Sequence, residues 1–318
     1  MNRVFKILCA VMAAVLLCGC TPREDDGKLK VVAVNFAAYD FARAVLGDTA
    51  SLSMLLDPGV EVHSFEPSPD DIAAVGDADV FIYTGGESDI WVEKILRSNE
   101  NDKRITVNMI ESSAVLCYEH EHSEDTDGDH DHSDRDGSCH PDEHVWMSPD
   151  NACSIIGAVC DAICKADPEN SASYRLNAEN YRAEITAQAA KTTETIKKSG
   201  CDRLVVADRF PLKYFCRYYS LKYTAAFDAC DTFADADAAT VISLIDAVKE
   251  GTLSHVFYIS GGSGYLAETV CREAGCKPLA LNALHSVTRD EFISGMTYVD
   301  VMKFNRLQLE RGLSHAAN

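Results

Sequence analysis

The residues best suited to chemistry in this chain are histidines that alternate with acidic side chains in one segment. Residues 119–143 hold five histidines and eleven Asp or Glu residues against a single arginine, a net charge of about −10. Because this segment has too few apolar residues to form a core, we expect a solvated loop. Imidazole and carboxylate groups bind divalent metal ions, and the alternative is an acidic loop that only keeps the protein soluble. The expected auxiliary ligands, weak because a disordered chain must be ordered on binding, are His120, His122, His130, His132 and His140.

Two further histidines occupy matched sequence contexts. His63 lies in LDPGVEVHSFEPSPDDI and His144 in DEHVWMSPDN, each in a short loop that opens a helix. A single histidine is more often structural, but two in such contexts beside a His-rich loop favour a metal site, and imidazole suits zinc. Glu66 and Glu143 lie near these histidines and are candidate acceptors for ring N–H groups. The alternative, which we favour for each taken alone, is a surface carboxylate.

The N-terminal residues predict export. Arg3 and Lys6 precede an apolar run over residues 7–17, which is shorter than the roughly 20 residues that a membrane span needs. A charged start followed by a short apolar run is typical of a secretory signal. We therefore expect residues 1–20 to be a signal peptide and residues 21–29 a polar tether.

The end of this signal indicates a lipid anchor. The sequence Leu17-Cys18-Gly19-Cys20 resembles the lipobox of bacterial lipoproteins, with Cys20 as the lipidated first residue of the mature protein. The alternative is an ordinary cysteine after a plain signal. Lipidation places the protein on the extracytoplasmic face of the cell membrane.

The net charge limits the expected partners, and the cysteines indicate which disulfides and metal sites to expect. The formal net charge is −21 and becomes more negative without the basic signal, which argues against nucleic acids as partners. Ten of the thirteen cysteines lie beyond the signal, and an exported chain can form disulfides from them. Cys117 and Cys139 bracket the His-rich loop, and a bridge between them is one hypothesis. Cys160 and Cys164 fit buried thiols, and the absence of a CxxC pair argues against a thiolate zinc site.

The remainder of the chain alternates strand and helix patterns. Strand patterns occur at residues 30–35, 51–56, 79–85, 104–109, 203–210, 222–227, 255–260 and 278–283. Between the two groups of strands, residues 168–198 contain no glycine or internal proline and predict one extended helix. Alternating strand and helix units predict parallel sheets with ligands at the carboxyl ends of the strands. We expect an N-terminal lobe over residues 30–167, a linking helix over 168–199 and a C-terminal lobe over 200–318.

Five motifs in a fixed order resemble a known family. They read PGVEVHSFEPSPDD, ADVFIYTGGESDIWVEKIL, EHVWMSP, DRFPLKYFCRYYSLKYTAAF and TYVDVMKFNRLQL. Together they look like the zinc- and manganese-binding lipoproteins that serve ATP-driven metal importers, over roughly residues 30–313. The resemblance implies an α/β protein with two (β/α)4 lobes joined by a long rigid helix. It also implies a metal ion held in the cleft between the lobes, beside an acidic histidine loop.

The ligands of that family carry over unevenly. His63 and His144 match its first two ligand positions. Its third histidine, in a motif HxAF, is missing from the aligned ADRF, where Asp208 is the nearest replacement. Its closing carboxylate, in a motif DPLG, falls at Asn282, and His285 lies three residues further on. The resemblance therefore implies a rearranged set of His63, His144, His285 and Asp208.

The identity of the fourth ligand and of the metal stays open. Asp208 is as suited to capping or bracing the following turn with Arg209 as to metal ligation, and Asp228 and Asp231 are weaker substitutes. Three imidazoles with one carboxylate or water favour tetrahedral Zn²⁺. Mn²⁺ usually takes more oxygen ligands, and it remains a possible second ion.

The function that we predict is capture and delivery of zinc. A monomeric solute-binding protein, tethered to the membrane, would capture Zn²⁺ and pass it to an ABC-type permease served by a separate ATPase subunit. One rival is a zinc-dependent hydrolase, although the sequence has no HExxH motif. A second rival is a surface adhesin or zinc buffer. The GGSG at residues 261–264 lacks a GK[ST] ending, and we interpret it as a plain turn rather than a phosphate site.

Overall fold

The computed structural model describes most of the chain beyond the expected signal. It covers residues 27–60, 65–99, 101–114, 117–118, 140–229 and 236–313. Of residues 117, 118 and 140 only the backbone is described. In these ranges no helix is long and apolar enough to cross a membrane. Several residues that the sequence analysis singled out lie outside the described ranges. They are the signal peptide, including Cys20, and His63, His120, His122, His130, His132, Cys139 and Asp231.

The first half of the chain forms a parallel four-stranded sheet. Its strands are β1 (Lys30–Ala33), β2 (Ser51–Met54), β3 (Val80–Tyr83) and β4 (Ile105–Asn108), in the order β2-β1-β3-β4. Successive side chains of a strand point to opposite faces, and here both faces are covered. Val31 packs into the large core, whereas Val32 packs into a smaller apolar cluster on the other face. Burial on both sides explains the nearly continuous apolar strands of this sequence.

Of the four described α-helices of this half, all but the third begin at a side-chain cap. The four helices are α1 (Phe36–Leu46), α2 (Pro69–Asp77), α3 (Ile90–Ser98) and α4 (Pro149–Ala166). Asn35 accepts a hydrogen bond from the backbone N–H of Ala38, and Ser68 forms a capping box with Asp71. Such caps satisfy backbone N–H groups that have no partner inside the helix.

A long helix follows, α5 (Ser171–Ser199), and it ends at the left-handed Gly200. The sequence predicted a single helix from residue 168, but residues Pro168–Asn170 form a separate 3₁₀ turn. Asp167, the residue before the proline, is extended at φ −132° and ψ 82°, because a following proline disfavours helical backbone. The first turn after Asp167 is thus 3₁₀, and the α-helix begins one turn later than predicted.

The second half repeats the parallel arrangement. Its strands are β7 (Arg203–Phe210), β8 (Lys222–Asp228), β9 (His255–Ile259) and β10 (Lys277–Leu281), in the order β10-β9-β7-β8. Its helices are α6 (Lys213–Tyr219), α7 (Ala238–Glu250), α8 (Tyr265–Ala274), α9 (Arg289–Ile293) and α10 (Tyr298–Gly312). The two parallel sheets and the long helix confirm the predicted α/β fold.

A short antiparallel pair of strands lies between β4 and α4 in the sequence. Its strands are β5 (Cys117–Tyr118) and β6 (His140–Pro141), and Tyr118 pairs with His140. This pair joins the two ends of the His-rich segment. It therefore holds the exit of that segment next to Asp142 and the residues that follow.

A buried carboxylate ties the two halves together. Asp40 on α1 accepts hydrogen bonds from the backbone N–H of Tyr298 at 2.8 Å, from the Tyr181 hydroxyl and from the Arg43 guanidinium. Arg43 also donates to the carbonyl of Met296 at 2.7 Å. Burial raises the pKa of Asp40, and the nearby positive charge of Arg43 opposes that change. One charged group thus connects α1, the long helix and the start of α10.

Candidate metal centre

His144 occupies a buried position at the start of a short helical turn. It precedes the 3₁₀ turn Val145–Met147, which leads into α4, and only 1% of its surface is exposed. Its ring lies edge-on to Trp146 with the centroids 5.6 Å apart. A histidine in such surroundings needs partners for both ring nitrogens.

Asp142 provides the partner for one of those nitrogens. Its Oδ1 lies 2.8 Å from Nδ1 of His144, and the same oxygen accepts the backbone N–H of His144 at 2.8 Å. Because a carboxylate only accepts, Nδ1 donates in this contact, and in the neutral ring Nε2 is then the acceptor nitrogen. Asp142 is itself buried, and its carbonyl accepts a hydrogen bond from the Tyr214 hydroxyl at 3.0 Å. This pairing of a carboxylate with a histidine is the arrangement that orients imidazole ligands in metal sites.

A hydrogen bond from Trp146 joins this segment to the second half of the chain. The indole Nε1 donates to the carbonyl of Ala283 at 2.9 Å. The Tyr298 hydroxyl adds a second link, since it donates to the carbonyl of Trp146 at 2.6 Å. These buried contacts place residues 282–285 directly beside His144.

Asn282 shapes the turn that presents His285. Its side-chain oxygen accepts the backbone N–H of Leu284 at 2.8 Å, and Leu284 adopts a left-handed backbone at φ +59°. The backbone of Asn282 is held in turn by Asn305, through two hydrogen bonds of 2.8 Å. Left-handed backbone is unfavourable for leucine, so these hydrogen bonds are needed to maintain it. At the position of the family's closing carboxylate, this chain has a residue that builds the turn.

The result is a contact between two imidazole rings. The centroids of His144 and His285 lie 4.5 Å apart, with the rings inclined at 45°. The two residues are 141 positions apart in the sequence and follow different sheets. The structure therefore brings together two of the four predicted ligands.

Asp208 lies in the cavity that also contains His285. This cavity has a volume of about 370 Å³ and lies at the carboxyl ends of β7, β9 and β10. Asp208 sits where the register between β7 and β8 shifts. Its Oδ1 accepts the N–H of Arg209 at 2.8 Å, and its Oδ2 accepts the N–H of Ile259 at 3.0 Å. Asp208 thus braces the strand end, while each of its oxygens retains a second lone pair.

The chain that leads to His63 borders the same cavity. Gly59 and Val60 line it, and the N–H of Gly59 donates to the Ser286 hydroxyl at 2.9 Å. Ser286 is the residue after His285. His63 itself lies outside the described residues, but the last described residue before it stands three positions away on the cavity wall.

The described residues alone do not complete a metal site. Within them there is no group of three or more His, Cys, Asp or Glu side chains that could hold a metal ion.

The other residues that the sequence analysis considered have structural roles. Asp228 is largely exposed and pairs with Lys213 at 2.9 Å. Gly261 and Gly262 form the turn after β9 that the sequence predicted, and both line the cavity. His255 lies at the start of β9, with Nδ1 2.8 Å from the Ser254 hydroxyl.

Glu143 has a different role from the one that the sequence suggested. It is 4% exposed, so the favoured interpretation as a surface carboxylate is wrong. Its Oε1 accepts the backbone N–H of Ser88 at 2.8 Å, and its Oε2 accepts the Ser88 hydroxyl. A Cβ at Gly86, where φ is +81°, would lie 2.6 Å from Oε1, so glycine is required there. Glu143 therefore ties the His144 segment to the loop after β3.

Asp89 supports the other side of that loop. Its Oδ2 accepts the N–H groups of Thr84 and Gly85 at 2.8 and 3.0 Å. Burial raises its pKa to about 7, with a smaller contribution from the negative charge of Glu143, while the two backbone hydrogen bonds oppose the rise. Two buried acids thus fix the loop against which the His144 segment rests. Glu66, the other candidate acceptor, is exposed.

Known proteins resemble this chain in sequence and in fold. Residues 31–312 match the family described as ZnuA, zinc-uptake complex component A, periplasmic. The zinc-binding lipoprotein AdcA of Streptococcus pneumoniae is 28% identical over 312 residues, which cover 98% of this chain and 61% of that protein. The high-affinity zinc uptake system protein ZnuA of Bacillus subtilis is 29% identical over 310 residues, covering 94% of this chain and 93% of that protein.

A solved structure shows the same arrangement of elements. The Zn(II)-bound ZnuA-like domain of Streptococcus pneumoniae AdcA is 26% identical and superposes with a TM-score of 0.73, covering 91% of this chain and 100% of that domain. The chain spans 61% of the length of the first curated relative that it matches. The match over residues 31–312 shows that the chain belongs to the zinc-uptake complex component A family.

Proposed function

We propose that this protein binds Zn²⁺ in the cleft between its two sheets and delivers it to a membrane permease. The observation that carries the proposal is the pair of rings of His144 and His285, held 4.5 Å apart by contacts from both halves of the chain. The contact of Asp142 with Nδ1 makes Nε2 the nitrogen through which a neutral His144 would bind a metal ion. Members of the family are solute-binding components of zinc uptake and not enzymes.

The ligand set that we propose is His63, His144, His285 and Asp208. His144 and His285 are in contact, and Asp208 shares a cavity with His285. His63 completes the set because the chain that precedes it is fixed to Ser286. Three imidazoles and one carboxylate match the tetrahedral preference of zinc. Manganese prefers a site richer in oxygen, and we propose it only as a secondary ion.

The cellular setting is also a proposal. We infer that Cys20 carries the lipid and that the protein acts as a monomer on the extracytoplasmic face of the membrane. The lipoprotein name of the streptococcal relative supports this location. The partners would be a cognate ABC permease and its ATPase subunit, in keeping with the uptake complex to which the family belongs.

The His-rich segment has a separate role in the proposal. We infer that His120, His122, His130, His132 and His140 collect zinc weakly near the cleft. The pairing of β5 with β6 supports this role. It brings the two ends of the segment together, and β6 ends at Pro141, three positions before His144 in the sequence. A segment with a net charge of about −10 also raises the local concentration of cations.

Removing one imidazole should abolish tight binding. We expect His144→Ala and His285→Ala each to weaken zinc affinity by more than about 100-fold, since a lost ligand costs more than the 10- to 100-fold typical of an outer partner. Competition with a chromophoric chelator measures the affinity. His255→Ala is the matched control, because His255 lies at the start of β9 and bonds to Ser254. Wild-type affinity in the His285 variant would remove His285 from the site.

Asp142 should act on the metal through His144. We expect Asp142→Ala to weaken zinc affinity by about 10- to 100-fold, because the ring of His144 loses the acceptor that orients it. Asp142→Asn, which keeps an acceptor oxygen, should restore most of the affinity. Asp150→Ala, on an exposed residue of α4, is the control. Equal affinity in the wild type and in Asp142→Ala would refute this role.

The His-rich segment and the cleft should be separable. Replacing residues 119–139 by a Gly/Ser linker should lower the number of zinc ions bound and leave one tight site, because the cleft ligands lie outside the segment. A variant with His120, His122, His130 and His132 changed to Asn should show the same loss while keeping the acidic charge. Isothermal titration gives both quantities. Loss of the tight site, or an unchanged stoichiometry, would contradict the division.

A further inference from the structure

Two cysteines meet at the end of α8. Cys271 lies in the last turn of the helix, and Gly275 ends it with a left-handed backbone at φ +76°. The carbonyl of Cys271 accepts the N–H of Gly275 at 2.8 Å and the N–H of Cys276 at 3.1 Å. In this kind of helix end, the second residue after the helix contacts the third residue before its end. Those two positions usually hold apolar side chains, and here both are cysteine.

The two sulfur atoms are very close. The Sγ atoms of Cys271 and Cys276 lie 2.6 Å apart, against about 2.05 Å in a disulfide bond. The other neighbouring pair, Cys160 and Cys164, has its Sγ atoms 3.9 Å apart on successive turns of α4. The helix end thus brings the sulfurs together where a continuous helix does not.

The pair also has one reactive and one protected member. Cys276 is partly exposed, and its close contact with the Cys271 thiol lowers the pKa of the Cys276 thiol. Cys271 is buried, and the pKa of its thiol is raised, mainly by the hydrogen bond with Cys276 and then by burial. Because the thiolate is the attacking species in disulfide exchange, Cys276 is the residue that reacts first.

We propose that Cys271 and Cys276 form an intrachain disulfide when the protein meets an oxidising thiol–disulfide exchange protein outside the cytoplasm. The Cys276 thiolate attacks one sulfur of the disulfide of that protein, which forms a mixed disulfide and releases a thiolate. Cys271 then loses its proton, attacks the sulfur of Cys276 and displaces the second thiolate. The chain gives up two protons and two electrons, and the exchange protein ends as a dithiol.

The bond would strengthen the edge of the second sheet. β10 begins at Lys277, directly after Cys276, and among the described strands it pairs only with β9, at the edge of the sheet. The same strand leads into Asn282 and the turn that presents His285. A covalent link from α8 restrains the start of this strand in the folded chain and in the unfolded chain alike.

Peptide mapping tests the bond directly. Trypsin cuts after Arg272, between the two cysteines, so each lies in its own peptide, residues 250–272 and 273–289. The full chain is purified without reductant, exposed to oxidised glutathione, blocked with N-ethylmaleimide and digested. We expect one linked pair of these peptides that separates on reduction, while Cys160 and Cys164 carry the blocking group. Blocked Cys271 and Cys276, glutathione retained on Cys276, or linkage to other cysteines would each overturn the proposal.

Thermal unfolding tests the effect of the bond. Dithiothreitol should lower the midpoint of the oxidised wild type by about 3–6 °C, given the small loop that is closed. In Cys276→Ser, the shift of the midpoint caused by dithiothreitol should be smaller than in the wild type by about the same 3–6 °C. Cys153→Ser is the matched control and should respond to reductant as the wild type does. An equal reductant effect in Cys276→Ser and in the wild type would overturn the stabilising role. Because the oxidant is added to purified protein, neither test depends on zinc binding or on export.

Discussion

The geometry of the candidate site depends on one buried hydrogen bond, from the indole of Trp146 to the carbonyl of Ala283 at 2.9 Å. It joins a segment that follows the first sheet to a segment that follows the second. In a buried setting, an unmatched indole N–H or carbonyl costs about 1–3 kcal/mol, so the two segments remain together. The rings of His144 and His285 are in contact because their neighbours are joined in this way.

Further contacts make the same junction rigid. The Tyr298 hydroxyl binds the carbonyl of Trp146, and the backbone N–H of Tyr298 binds Asp40 on α1. Glu143 binds Ser88 on the opposite side. The imidazole pair thus rests on elements from both sheets.

The elements of the fold were predictable because each has a local cause. The central strands are buried on both faces and therefore read as apolar runs, and several helices begin at caps such as Ser68 with Asp71. The start of α5 was misplaced by one turn, because the first turn after Asp167 is a 3₁₀ turn and a sequence pattern does not distinguish it from the start of an α-helix. His144 was named from its place in a short loop that opens a helix, whereas His285 was named only through the family resemblance.

The partners of the site residues were harder to predict. Asp142 was missed although it lies two residues before His144, because sequence alone does not show that two adjacent acids both turn inward. Its neighbour Glu143 was judged a surface carboxylate and is buried against Ser88. Asn282 stabilises the turn before His285, since its side chain accepts the N–H of Leu284 and its backbone N–H donates to Asn305. The contacts of Glu143 with Ser88 and of Asn282 with Asn305 join residues distant in sequence, and no local pattern encodes them.

The most direct test of the proposed site is a crystal structure of the zinc-loaded protein with data collected at the zinc absorption edge. The proposal predicts an anomalous peak within about 2.0–2.1 Å of Nε2 of His144 and of a ring nitrogen of His285, the usual zinc–nitrogen distance. A tightly bound zinc ion whose peak lies away from both rings would contradict it.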